Sequence, residues 1–274
     1  MLKARIGSIS YNLERRRHLD VDLGGRIGMG ALLCYAIRML AYANQAGKEA
    51  RLICTSPVYS NGSDVFSKFF DQGIGDEPFH PHSKLANEWL VHHLIPWTIP
   101  LSFARDLFHR HFDPSPFLKS HLGEKYDLSV HFRATDKIME TGEPPRDIML
   151  STLMDEIAGR KLRIFVATDD QRFRDQIHSK FDFCEFSSFE LGDVEEGVAR
   201  HFSELPAEDK SKEAIINIFK LASAPVCIRT MSYFSALVPI INRDCRTITV
   251  NCKIRPNYFP EDEIWDLEHA SELG

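Results

Sequence analysis

The chain has 274 residues, of which 43% are apolar, 26% charged and 11% aromatic, with a formal net charge of −6 and a mean hydropathy of −0.24. This balance excludes disordered and fibrous classes and is long enough for a sizeable core in one large or two modest domains. The negative charge provides no general attraction to nucleic acid or anionic lipid, and no run approaches the ~20 apolar residues of a membrane span. No nucleic-acid partner and no membrane span are therefore expected. The six cysteines never take CxxC spacing and mostly sit in apolar runs such as Pro225-Val226-Cys227-Ile228. A thiol there behaves as a small hydrophobe, which points to a reducing, cytoplasmic setting. The first residues lack the apolar core of a signal peptide.

In chain order, a strand is expected near residues 4–10, followed by the solvated run Arg15-Arg16-Arg17 and the turn Gly24-Gly25-Arg26-Ile27-Gly28-Met29-Gly30. An apolar helix over 31–46 and a strand over 50–55 complete one βαβ unit. Short helical segments follow around 64–72, 85–94 and 103–112. Asp113-Pro114-Ser115-Pro116 is the boundary, because two closely spaced prolines oppose regular structure. It divides the chain into domains 1–116 and 117–274. In the second domain, strands at 127–132, 162–167, 182–186, 226–228 and 247–250 alternate with helices at 147–158, 171–179, 212–222 and 232–242. Such alternation predicts a doubly wound parallel sheet over residues 120–252, since parallel strands need crossovers. The last segment, from Phe259, reads as an acidic helix burying Ile264, Trp265 and Leu267.

Three segments fall at the carboxyl ends of predicted strands, the edge where open α/β sheets bind ligands. The first is His131-Phe132-Arg133-Ala134-Thr135-Asp136-Lys137. An arginine fork and a lysine there suit phosphate, although Arg133 and Asp136 could equally pair in a solvated loop. The second, Ala167-Thr168-Asp169-Asp170, is either part of a site or a helix N-cap. The third runs from Arg229 through Thr230 and Ser232 to Ser235, where hydroxyls at a helix start either hold an anion or cap the helix. All three share one sheet edge, which argues for one site. In the glycine turn, Gly25, Gly28 and Gly30 let a backbone approach a ligand, yet they match neither the dinucleotide nor the P-loop pattern. The absence of G-x-S-x-G likewise disfavours an α/β hydrolase. The histidines at 80, 82, 92, 93, 109, 111 and 121 have no metal-ligand spacing, so no metal is expected.

These motifs, in this order, resemble the fucosyltransferase superfamily of α1,6-fucosyltransferases, nodulation-factor fucosyltransferases and protein O-fucosyltransferases. The His131–Lys137 segment is similar to its H-x-R-R-T-D-K motif, and the strand ending at Asp169 and Asp170 to its A-T-D-D motif. Residues 215–235 are similar to its helix–strand–T-x-S-S motif, and Gly24 to Gly30 to its N-terminal glycine turn. The resemblance implies a GT-B-like architecture of two Rossmann-like domains and an inverting, metal-independent transfer of fucose from GDP-fucose. The acceptor would be a glycan or another hydroxyl compound bound on the N-terminal side, and GDP-fucose is a substrate, with no further cofactor. Arg133 would hold the β-phosphate, His131 the nucleotide, and Thr230 with Ser232 the phosphate oxygens. Asp136, Lys137, Asp169, Asp170, Gly25, Arg26 and Gly28 would complete the donor site. Ala134 replaces the second motif arginine, leaving Lys137 or Arg26 to supply that charge. Asn217 stands about where the family has a guanine-recognising aspartate. Glu140 and Glu143 are the expected bases. A transferase using a different nucleotide sugar and a non-catalytic nucleotide-sugar-binding protein are the alternatives.

Overall fold

The computed structural model describes residues 18–71, 79, 99–123, 125–133, 146–187, 204–250 and 259. Strand β1 (His18–Asp22) pairs in parallel with β2 (Glu49–Ile53), and helix α1 (Met29–Gln45) crosses between them. Helix α1 is buried on nearly every side, as its run of Ala, Leu and Met allows. The expected strand at 4–10 lies outside the described residues. The strand that feeds the glycine turn is instead His-Leu-Asp-Val-Asp, which two aspartates conceal from a propensity reading. Its buried Asp20 is matched by Arg51 of β2, whose Nε and Nη2 donate to Oδ1 and Oδ2 at 2.7 and 2.6 Å. Asp22 accepts from the Thr55 hydroxyl.

Asp64 caps helix α2 (Val65–Phe69) by accepting from the Phe66 and Ser67 amides. Strand β3 (Phe70–Asp71) follows and pairs antiparallel with β4 (Asp113–Pro114), which succeeds helix α3 (Leu101–His111). The Asp113-to-Pro116 stretch is regular at both prolines, contrary to its sequence reading. Pro114 occupies a two-residue strand, and Pro116 opens helix α4 (Pro116–Leu122), where its missing N–H breaks no helical bond. Ser115 caps that helix through the Leu118 amide.

Strands β5 (Leu128–Phe132), β6 (Ile164–Thr168), β7 (Cys184–Phe186), β8 (Val226–Thr230) and β9 (Arg246–Val250) form one parallel sheet in the order β7-β6-β5-β8-β9. The chain enters at the centre, winds outward through β6 and β7, then returns to the other side through β8 and β9. The doubly wound sheet expected over 120–252 is therefore present, and its order reverses between β5 and β8. Helices α5 (Arg146–Ile157) and α6 (Gln171–Lys180) bury Leu153 and Phe173 against Leu128, Val130 and Phe132 on one face. Helix α7 (Ala207–Ala222), which begins earlier than the expected residue 212, covers the other.

The single helix expected over 232–242 is two short ones, α8 (Tyr233–Ala236) and α9 (Val238–Ile241). Pro239 has no N–H for the Ser235 carbonyl, and buried Arg229 donates to that carbonyl at 2.9 Å instead. One apolar cluster joins the first half to α7–α9, with Phe66, Phe108 and Phe112 packed alongside Ile215, Phe219 and Leu237. Phe259 is buried in that cluster, while the expected C-terminal helix beyond it lies outside the described residues. No described helix is long and apolar enough to cross a membrane.

Candidate active site

A cleft of about 360 Å³ opens where the sheet order reverses. It lies between the ends of β5 and β6, the glycine turn with the start of α1, and the polar side of α7. The alternation of β5 determines what reaches it. Leu128, Val130 and Phe132 enter the apolar layer under α5 and α6, so Ser129 and His131 face the α7 side. Ser129 Oγ donates to the Leu221 carbonyl at 2.7 Å. His131 stacks on Phe234, with ring centroids 5.2 Å apart and planes 19° apart. Only 5% of the residue is exposed, and its Nδ1 has no hydrogen-bond partner among the described residues. Burial, aided by the charges of Arg133 and Arg229, lowers the imidazole pKa to about 3. The ring is neutral at pH 7, which fits a hydrogen-bonding contact and excludes a cationic one.

Arg133 leaves the end of β5 into the cleft. Its backbone N–H donates to Thr230 Oγ1 at 3.0 Å, and its Nε stands 3.9 Å from Asp169 Oδ2. Arg26 reaches the same cleft from the glycine turn, and Lys210 from α7. Partial burial lowers the Lys210 pKa from its ordinary value. Gly28 is extended as the N-cap of α1, and the first residues of that helix line the cleft. The Met29 N–H, which has no partner within its helix, donates to the Tyr59 hydroxyl at 2.8 Å. Three cations and a helix N-terminus around one space make an anion site.

The glycines are used differently from the expectation. Gly25 does not line the cleft, and its carbonyl accepts from Ser56 Oγ at 2.7 Å. Gly30 is needed for packing: a Cβ there would lie 2.6 Å from the Cα and N of Phe234, which are backbone atoms that cannot rotate away. Helix α1 thus rests directly on the segment that carries the His131 stacking partner. Ordinary helix propensity favours alanine over glycine by about 1 kcal/mol. Gly30→Ala is nevertheless expected to destabilise the fold by roughly 1–3 kcal/mol through overpacking. Chemical denaturation checks this prediction, and a stabilised variant would refute the packing account.

Of the other expected site residues, Arg26, Gly28, His131, Arg133, Asp169 and Asn217 come together in the cleft. Asp170 does not join them. Its Oδ1 accepts from the Phe173 amide as the N-cap of α6, and its Oδ2 accepts from Arg146 Nε at 2.9 Å. Thr230 Oγ1 is held by the Arg133 amide, and Ser232 caps α8 through the Ser235 amide. Neither hydroxyl lines the cleft. Asp136, Lys137, Glu140 and Glu143 lie outside the described residues, as do the histidines from 80 to 93. Of the remaining histidines, His121 hydrogen-bonds the Phe117 carbonyl through Nδ1 at 2.8 Å. Among the described residues, no group of three or more His, Cys, Asp and Glu side chains could hold a metal ion.

Sequence reasoning missed Tyr35, Tyr59, Lys210 and Glu213, all of which line the cleft, while Tyr233 and Phe234 reach it from the segment singled out between Arg229 and Ser235. One signal was available. Lys210, Glu213 and Asn217 recur at intervals of three and four residues, which puts them on one face of a helix. Asn217 is only 7% exposed.

No family model matches the chain, and no curated protein matches it in sequence. Solved structures do match. The structure of NodZ α1,6-fucosyltransferase soaked with GDP-fucose is 14% identical and superposes with a TM-score of 0.53 over 83% of this chain and 93% of that one. The form co-crystallised with GDP is 15% identical, with a TM-score of 0.51 over the same shares. A FUT1 variant from Arabidopsis thaliana in complex with GDP is 8% identical, with a TM-score of 0.51 over 94% of this chain and 76% of that one. The α/β architecture around this cleft is thus the fold of the fucosyltransferases NodZ and FUT1.

Proposed function

We propose that the chain is an inverting, metal-independent glycosyltransferase that moves fucose from GDP-fucose to a hydroxyl of a glycan or another acceptor. The observation that carries this reading is Arg133. It belongs to a segment resembling the H-x-R-R-T-D-K motif and stands at the carboxyl edge of β5, where the sheet order reverses. The neighbouring structures holding GDP-fucose and GDP support the donor class. Transfer breaks the bond between the anomeric carbon and the diphosphate, so negative charge builds on the leaving group. Cations fixed in a partly dry cleft stabilise that charge more than water does. Arg133 takes this role with Arg26, which offsets the arginine lost to Ala134, and the amide end of α1 faces the same space. Neutral His131 offers its imidazole to the nucleotide. The reading assigns the donor to residues 117–274 and the acceptor to residues 1–116. It also sets the protein in the cytoplasm, in keeping with described cysteines that are all free and mostly buried.

Asn217 favours a second reading with another nucleotide sugar. A carboxamide offers one donor group and one acceptor, whereas guanine's paired N–H groups suit a carboxylate. Thermal unfolding against GDP, GDP-fucose, GDP-mannose, UDP and ADP separates the two. A ligand at ~100 times its Kd adds about 2.7 kcal/mol, which raises the midpoint by roughly 5–10 °C. Selective stabilisation by GDP and GDP-fucose is expected. Selectivity for UDP or ADP would replace the donor, and no shift with any of them would end the transferase reading.

A further inference from the structure

The cleft holds a carboxylate that the reading above leaves unused. Glu213 stands on α7, is 9% exposed, and lines the cleft with Lys210 and Asn217. Ile215, Ile218 and Phe219 of the same helix enter the apolar cluster, so packing of α7 is satisfied without a charge at 213. Desolvating a carboxylate costs several kcal/mol unless its surroundings compensate. Arg133 from β5 and Glu213 from α7 both line this cleft, so guanidinium and carboxylate converge on one volume. Among the described residues, two more acids stand at the same sheet edge. Asp169 stands beside Arg133, and Asp170 caps α6.

We infer that Glu213 is the general base for the acceptor hydroxyl, an assignment that rests on the transferase reading of the cleft. The acceptor oxygen forms a bond to the anomeric carbon of the donor sugar. The bond from that carbon to the diphosphate breaks, and its electron pair leaves on the diphosphate oxygen. The hydroxyl proton passes to a carboxylate oxygen of Glu213 and is later lost to water. Arg133 meets the charge on the departing diphosphate while Glu213 receives the proton, so the two converging groups serve the two ends of one displacement.

The test compares wild type with Glu213→Gln, which keeps the size of the side chain and removes the base. GDP release from GDP-fucose into water is measured from about pH 5 to 9, with and without sodium azide, beside the Kd for GDP. The variant is expected to release GDP roughly 10²–10⁴-fold more slowly and to lose the acid limb of the pH profile. Its Kd for GDP should change less than about threefold, the mark of a residue acting on the transition state alone. Azide is an anion that needs no proton removed. It should restore release to within about tenfold of wild type and yield a fucosyl azide. Release into water within about threefold of wild type overturns the assignment, as does a loss that azide leaves unrepaired. A wild-type protein that fails to bind GDP overturns the transferase reading along with it. Tight GDP binding with rates indifferent to Glu213 overturns the base alone.

Discussion

Replacing Arg133 with alanine is expected to lower transfer from GDP-fucose by roughly 10²–10³-fold while the chain stays folded. The side chain leaves β5 at the cleft wall, with about a fifth of its surface exposed, and its Nε stands 3.9 Å from Asp169 Oδ2. The strand end is held independently, because the Arg133 amide bonds Thr230 Oγ1 and alanine retains that amide. The loss should therefore fall on catalysis, where charge develops on the diphosphate, and leave the melting temperature little changed. Arg133→Lys should recover part of the rate, since lysine keeps the charge but lacks the planar fork that grips two phosphate oxygens. Steady-state transfer and thermal unfolding of the same preparations decide the matter. An alanine variant within about threefold of wild-type activity would remove Arg133 from the mechanism.

Asp20→Ala should produce the largest loss of stability, roughly 3–5 kcal/mol, because it strands the Arg51 guanidinium inside the first sheet. Both side chains are over nine-tenths buried and are joined by two hydrogen bonds across β1 and β2. For a chain of this size the midpoint should fall by roughly 6–15 °C. Replacing the pair together, Asp20→Leu with Arg51→Met, should return most of the loss, since no charge then remains to be solvated. If the single variant melts within about 2 °C of wild type, the ion pair is not what holds β1 in place.

The second sheet could be read in advance because parallel strands covered on both faces are continuous apolar runs, as in residues 162–167 and 225–228. Strand β1 could not. Its two aspartates look unfit for a strand until Arg51, 31 residues away, is brought opposite one of them. The split between α8 and α9 lay partly in view at Pro239, but the partner of the freed carbonyl, Arg229, comes from a neighbouring strand.

Within the site, the line between legible and illegible follows the range of the interaction. Strand alternation and strand ends are local, so His131, Arg133 and Asp169 could be assigned to one sheet edge from their own neighbourhood in the chain. Hydroxyls and carboxylates before helices were ambiguous for a physical reason. The same oxygen that could meet a ligand can accept a first-turn N–H, and Asp170 and Ser232 do the latter. The spacing of Lys210, Glu213 and Asn217 defines a helix face, yet spacing cannot say whether that face meets solvent or a cleft. Contacts remote in sequence decide it. Phe219 of α7 packs against Phe70 and Phe108, and α1 seats on Phe234 at Gly30, where any Cβ would collide with backbone. By itself, then, the sequence determined the doubly wound sheet and the cationic strand end, since both arise from periodicity and composition over a few residues. Only the tertiary structure decided that α7 and Tyr59 close around that end, because their placement depends on packing between segments that the chain order keeps apart.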